Sequence, residues 1–209
     1  MAGGRVDKLK LITHVAALTP LARLLWDFLN NDLTFNPIRE IQLRTGKDAL
    51  VLLILTLCCS PIKDYLGLPR VMRVRRILGL YAFSYAGLHF LTFVGLDYAF
   101  KLDLITEGVL KKPFALAGLA AFLILLPLAV TSTNGWARRL GKNWRRLHRL
   151  IYLAASLAIV HFFWLRAAKL NLGEPVIFGT VVVLLLVLRV PAVNKLLTSL
   201  MQTLRQPSS

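Results

Sequence analysis

The sequence predicts an all-α integral membrane protein, a six-transmembrane-helix bundle with both termini in the cytoplasm. Of its 209 residues 56% are hydrophobic and only 17% charged, more apolar surface than one soluble core of this size can hide. The apolar residues gather into blocks close to the roughly 20 residues that cross about 30 Å of hydrocarbon. Short basic connections separate the blocks, which is how polytopic chains are patterned.

The first span is expected at Leu9–Leu29. Its basic start followed by an apolar stretch imitates a signal peptide, but Leu11–Phe28 lacks a clear small-residue cleavage site and further spans follow. Arg23 and Asp27, four residues apart within it, are placed to neutralise each other. The second span, Lys47–Ile62, is short and ends at Pro61; its adjacent Cys58 and Cys59 read as small hydrophobes, not as a redox or metal pair. Spans three to six follow at Val74–Tyr98, Phe114–Thr131, Leu147–Leu165 and Pro175–Val193. Tyr81 and Tyr85 of span three read as packing residues. Trp26, Trp136, Trp144 and Trp164 fall near span ends, where an interfacial belt accounts for them. No internal repeat or separate soluble domain is visible, so residues 1–209 read as one domain.

Orientation follows from the distribution of Lys and Arg. With the N-terminus inside, the cytoplasmic segments and adjoining span ends hold 17 of them, Arg5 and Arg205 included; the opposite side holds 8, Lys169 included. That bias places both termini in the cytoplasm of a bacterial inner membrane. A net charge of +16 would suit nucleic acid, but the cations lie in short loops between spans and not along one face, which excludes that class.

Ionisable or metal-binding side chains within a bilayer are costly and mark function. His89 lies 13 residues after Arg76 and His161 lies 12 after Arg149, on spans that run outward from the same side. The two therefore share a depth to within roughly 2 Å. Two neutral imidazoles at one level on two helices can clamp a haem iron from both faces, with Phe90, Phe93, Phe162, Phe163 and Trp164 to wall in the macrocycle. Spacing alone leaves interhelical hydrogen bonding or a quinone site as alternatives. His148 stands about 20 Å lower on the fifth span. It is either a ligand of a second haem, with His14 as one conceivable partner, or a structural histidine at the membrane boundary.

Several segments then carry a resemblance that covers nearly the whole chain. They are Asn36-Pro37 followed by Thr45-Gly46; Arg75-Arg76-Ile77-Leu78-Gly79-Leu80; Leu88-His89; Thr131-Ser132-Thr133; and the run from Leu140 to Tyr152, which contains Trp144-Arg145-Arg146-Leu147-His148, leading to His161. In this order they resemble the ferric-reductase-like transmembrane domains, and among them the haem-binding membrane subunits of bacterial methionine-sulfoxide reductase systems. Two-haem members of the wider family carry one histidine pair on the third helix and another on the fifth. Here the fifth-helix pair is intact as His148 and His161, whereas counting back 14 residues from His89 reaches Arg75. An arginine stays protonated and has no lone pair for iron. The resemblance thus implies a bis-histidine haem b at His89 and His161 and leaves a second haem at His148 open.

The resemblance also implies bound FMN, a cytosolic flavin reductase as electron donor and a periplasmic molybdopterin-containing methionine-sulfoxide reductase as acceptor, in repair of oxidised periplasmic proteins. No G-x-G-x-x-G run is present, so a separate protein must supply the electrons. Arg75, Arg76, Arg145 and Arg146 could form the electron-input face by steering an acidic partner or holding a flavin phosphate; positive-inside topology and anionic lipid account for them equally well. The chain offers no nucleophile or acid–base pair, so its chemistry would belong to the cofactor. Two other classes stay open: a stand-alone ferric or quinone reductase on the same haem, and a proton-coupled transporter. The transporter is disfavoured because no span shows a carboxylate relay and no Gly/Pro-interrupted helix marks a substrate site.

Overall fold

The computed structural model describes residues 7–167, 170–195, 197 and 199; Arg5, Lys169 and Arg205, counted above for orientation, lie outside them. Among the described residues the chain consists of helices joined by turns, with no strand. Its helices are α1 (Lys8–Leu29), α2 (Pro37–Leu66), α3 (Met72–Leu91), α4 (Leu102–Leu110), α5 (Pro113–Val130), α6 (Asn134–Leu140), α7 (Lys142–His148), α8 (Leu150–Ala167) and α9 (Gly173–Val187). A 3₁₀ turn at Pro69–Val71 leads into α3, and a π-helical turn at Thr92–Asp97 follows it.

Four helical stretches are long and apolar enough to cross a membrane: Pro37–Leu66, Pro69–Asp97, Pro113–Val130 and Lys142–Ala167. Of the six expected spans, the first and last fall short of that standard. Helix α1 has 22 residues but carries Lys8, Lys10, Arg23 and Asp27, while α9 has 15 residues and reaches only about 22 Å.

Helix α2 is much longer than the expected Lys47–Ile62. It starts where the Asn36 side chain accepts the Arg39 N–H at 3.1 Å with Pro37 in the first turn, a strong start signal that lies outside the apolar block. It also runs through Pro61 to Leu66. Proline removes one ladder donor and frees the carbonyl four residues back, here Leu57. Arg189 Nη2 takes that carbonyl at 2.7 Å, so the helix continues. Next to Pro20 in α1, the buried Tyr85 hydroxyl of α3 accepts the Leu21 N–H at 3.0 Å and donates to the Ala17 carbonyl at 2.7 Å, bridging the two ends of the adjacent helical rung. This hydroxyl is a structural bridge, consistent with a packing role for Tyr85.

The core joins Leu53 and Leu57 of α2, Ala82 and Tyr85 of α3, Ala154 and Ala155 of α8 and Val182 of α9. The buried alanines let helix backbones approach closely where no hydrophobic drive exists between lipid-bathed helices. Large side chains such as Leu123, Leu153 and Leu184 are exposed, as a lipid-facing surface requires. The connections between spans also form short helices, the amphipathic α4 and the strongly basic α6 and α7. Thr133 Oγ1 accepts the Trp136 N–H to cap α6, and Gly141 at φ 50° turns the chain from α6 into α7.

Two expectations are corrected. Asp27 pairs not with Arg23 but with Arg44 of α2, which also binds Glu40, because a neighbouring helix offers a guanidinium that reaches both carboxylates. Trp144 is not a simple belt residue: it is partly buried, and its indole N–H donates to the Thr131 carbonyl at 2.9 Å. Trp26, Trp136 and Trp164 are exposed.

Candidate functional site

His89 lies near the C-terminal end of α3 and His161 two thirds of the way along α8. Their ring centroids are 6.0 Å apart and the ring planes cross at 80°. Each ring is anchored on its far side by a main-chain carbonyl of an adjacent helix: His89 Nδ1 lies 2.8 Å from the Gln42 oxygen of α2, and His161 Nδ1 lies 2.6 Å from the Phe114 oxygen of α5. A carbonyl only accepts, so each Nδ1 carries the proton and each Nε2 keeps its lone pair. Such an outer bond fixes tautomer and ring orientation at metal-ligating histidines.

The spacing allows a direct fit test for a haem iron. A metal–imidazole bond of about 2 Å on each side, plus about 1.2 Å from nitrogen to ring centre, requires about 6.4 Å between centroids; the rings stand at 6.0 Å. Among the described residues no group of three or more His, Cys, Asp and Glu could hold a bare metal ion. A donor set of two imidazoles suits a metal whose other ligands come from a macrocycle.

Two glycines permit this geometry. Gly46 of α2 and Gly118 of α5 each lie one helical turn beyond the accepting carbonyl. A Cβ at Gly46 would come 2.9 Å from His89 Nδ1, and one at Gly118 would come 2.7 Å from His161 Nδ1. Any side chain there would push the imidazole out of its hydrogen bond. Thr45-Gly46 entered the sequence analysis only as part of a resemblance, and Gly118 went unnoticed. The missed signal is an internal repeat with an offset of 72 residues. It relates Gln42, Gly46 and His89 to Phe114, Gly118 and His161, and Ala82-x-Ser84-x-Ala86-x-x-His89-Phe90 to Ala154-x-Ser156-x-Ala158-x-x-His161-Phe162. The expectation of no internal repeat is thereby corrected; the repeat escapes notice because the remaining positions of the paired helices differ.

The expected aromatic wall is only partly assembled. Phe90 stacks on Phe122 at 4.9 Å and Phe122 on Phe83 at 5.6 Å, a ladder between α3 and α5. Phe114 approaches His161 at 6.0 Å and Phe162 meets Phe178 at 6.1 Å. Phe93 turns aside to Tyr98, while Phe163 and Trp164 are exposed; the helical rotation that brings His161 inward carries Phe163 to the opposite face.

His148, at the other end of the bundle, is held differently. Its ring stacks on Trp144 at 4.0 Å. Nδ1 lies 3.1 Å from the Trp144 carbonyl and Nε2 lies 3.2 Å from the Leu128 carbonyl; a neutral imidazole has one N–H and donates to only one of the two, while its other nitrogen also faces a protein carbonyl. His14 bonds instead to the Tyr81 hydroxyl at 2.9 Å. Arg75 donates to Ser60 Oγ at 3.2 Å and Arg76 to Asn134 Oδ1 at 3.0 Å. Arg145 and Arg146 are exposed on α7.

Residues 45–159 match the family described as ferric reductase like transmembrane component, a stretch that contains Gly46, His89, Gly118 and His148 and stops two residues before His161. The chain is 44% identical over 183 residues to the protein-methionine-sulfoxide reductase heme-binding subunit MsrQ of Herminiimonas arsenicoxydans, covering 87% of this chain and 84% of that protein. It is also 44% identical over 187 residues to MsrQ of Xanthomonas axonopodis pv. citri, with 87% and 85% covered, and 43% identical to MsrQ of Xanthomonas euvesicatoria pv. vesicatoria over the same length and shares.

Proposed function

The chain belongs to the MsrQ family of ferric reductase like transmembrane components, and on that premise we propose that it is the haem b electron-transfer subunit of a bacterial methionine-sulfoxide reductase system. The observation that carries this reading is the pair of imidazoles 6.0 Å apart, each anchored through Nδ1 to a main-chain carbonyl. His89 and His161 would hold the haem iron through Nε2. The Gln42 and Phe114 carbonyls orient the rings, and Gly46 and Gly118 let the supporting helices reach them. Haem supplies a one-electron carrier whose potential depends on axial ligation, hydrogen bonding and burial. The surrounding apolar side chains keep water from it.

In this reading the membrane is the bacterial inner membrane, α1 and α9 complete six spans, and both termini face the cytoplasm, as the distribution of Lys and Arg supports. A cytosolic flavin reductase delivers electrons at the end that carries Arg75, Arg76, Arg145 and Arg146, with FMN as a further cofactor. A periplasmic molybdopterin-containing subunit takes them at the His89–His161 end and reduces methionine sulfoxide.

Oxidised and dithionite-reduced visible spectra of the detergent-purified protein test the ligand assignment. Sharp low-spin b-type bands are expected, and they should disappear in both His89→Ala and His161→Ala. A colourless protein, or bands indifferent to both changes, would overturn the assignment and favour a proton-coupled transporter.

A further inference from the structure

Away from the histidine pair, the ends of α2 and α9 and the start of α8 surround a cavity of about 450 Å³ whose lining includes Ser60, Asp64, Tyr65, Arg149, Tyr152 and Arg189. Arg189 reaches into this region from just beyond α9. Its Nη2 holds the Leu57 carbonyl released by Pro61, and its Nη1 donates to the Tyr152 hydroxyl at 2.8 Å. The guanidinium also lies over the Tyr152 ring, 5.1 Å from the centroid. Its Nε–H is buried and has no hydrogen-bond partner. Among the described residues no carboxylate pairs with Arg189; Asp64, the acid in the same lining, pairs with Lys63 at 3.3 Å. Arg149 adds a second cation to the wall.

A partly buried guanidinium with neutral partners and an unpaired N–H carries the desolvation cost of its charge without a matching anion. Guanidinium groups meet that need best with planar or tetrahedral oxyanions that accept several N–H bonds at once. The volume exceeds that of a bare phosphate and leaves room for a small ester group. We propose that this cavity is a phosphate-binding site that takes the phosphate group of a phosphate ester between Arg149 and Arg189. Two sources present that chemistry at a membrane surface, the headgroup of an anionic phospholipid and a soluble phosphate monoester.

The test uses delipidated, haem-loaded protein in detergent and follows its melting temperature as phosphatidylglycerol, phosphatidylcholine or glycerol 3-phosphate is added. Wild type is expected to gain about 5 °C near saturation with phosphatidylglycerol or glycerol 3-phosphate, and little with phosphatidylcholine. The gain should be lost in Arg189→Gln and in Arg149→Gln; the second variant removes an exposed side chain and leaves the Leu57 cap intact. Arg138→Gln, exposed and outside the cavity, should keep it. A gain with phosphatidylglycerol alone assigns the site to lipid, and a gain with glycerol 3-phosphate assigns it to soluble esters. No gain with either, or gains undiminished in Arg149→Gln and Arg189→Gln, would overturn the proposal.

Discussion

The two ends of the bundle use histidine in opposite ways. At one end His89 and His161 each give only Nδ1 to a carbonyl of a neighbouring helix and meet at 6.0 Å with Nε2 available to a metal. At the other, His148 has a carbonyl against both nitrogens and an indole against its face, while Arg75 is turned to Ser60. The residue type is shared; the hydrogen-bond acceptors around it decide its role. An imidazole anchored at Nδ1 alone is a pre-oriented ligand, whereas one with a carbonyl facing each nitrogen and an indole on its face is enclosed by protein.

The largest change short of removing a histidine should come from Gly118→Ala. Its Cβ would lie 2.7 Å from His161 Nδ1, displacing the ring from the Phe114 carbonyl. Haem transfer from the purified protein to apomyoglobin should show retention weakened about tenfold or more, as for other outer-shell changes at metal sites. Gly46→Ala should weaken retention in the same direction but less, since the approach to His89 is 2.9 Å. Equal retention by wild type and both variants would break the argument that these glycines set the ligand positions.

At the His148 end the expected effects are on stability. His148→Ala removes the Trp144 stack and the single carbonyl bond that its one N–H makes, which should cost about 1 kcal/mol. A fall of about 2–4 °C in melting temperature should register that loss, with the low-spin haem bands retained. The smallest effect belongs to Arg76→Gln, whose bond to Asn134 is exposed; it should change stability by less than about 0.5 kcal/mol. A loss of haem in Arg76→Gln would place that arginine in the cofactor site and blur the distinction between the two ends.

The sequence made the histidine pair legible because depth in a membrane depends on residue count alone: 1.5 Å per residue from a basic boundary brings His89 and His161 level. It does not show which side chains are covered, so Phe163, on the face opposite His161, and the exposed Trp164 join the expected pocket wall without forming part of it. The glycines were hidden because their meaning depends on two other helices. The true length of α2 was hidden because hydropathy marks the apolar block and not the helix: residues from Pro37 to Lys47 are mostly polar, yet the Asn36 cap and the Arg44–Glu40 pair extend the helix through them. Asp27 was assigned to Arg23 because sequence distance was the only distance available. Arg189 read as one more positive-inside charge, since nothing in the linear order connects it to the carbonyl that Pro61 releases.

The contrast between the ends is tested most directly by haem content per polypeptide, measured with low-temperature electron paramagnetic resonance on wild type, His148→Ala and His161→Ala. The account predicts one low-spin ferric haem in wild type, the same signal in His148→Ala and its loss in His161→Ala. Two haems in wild type, with one lost in His148→Ala, would contradict it and make His148 a ligand.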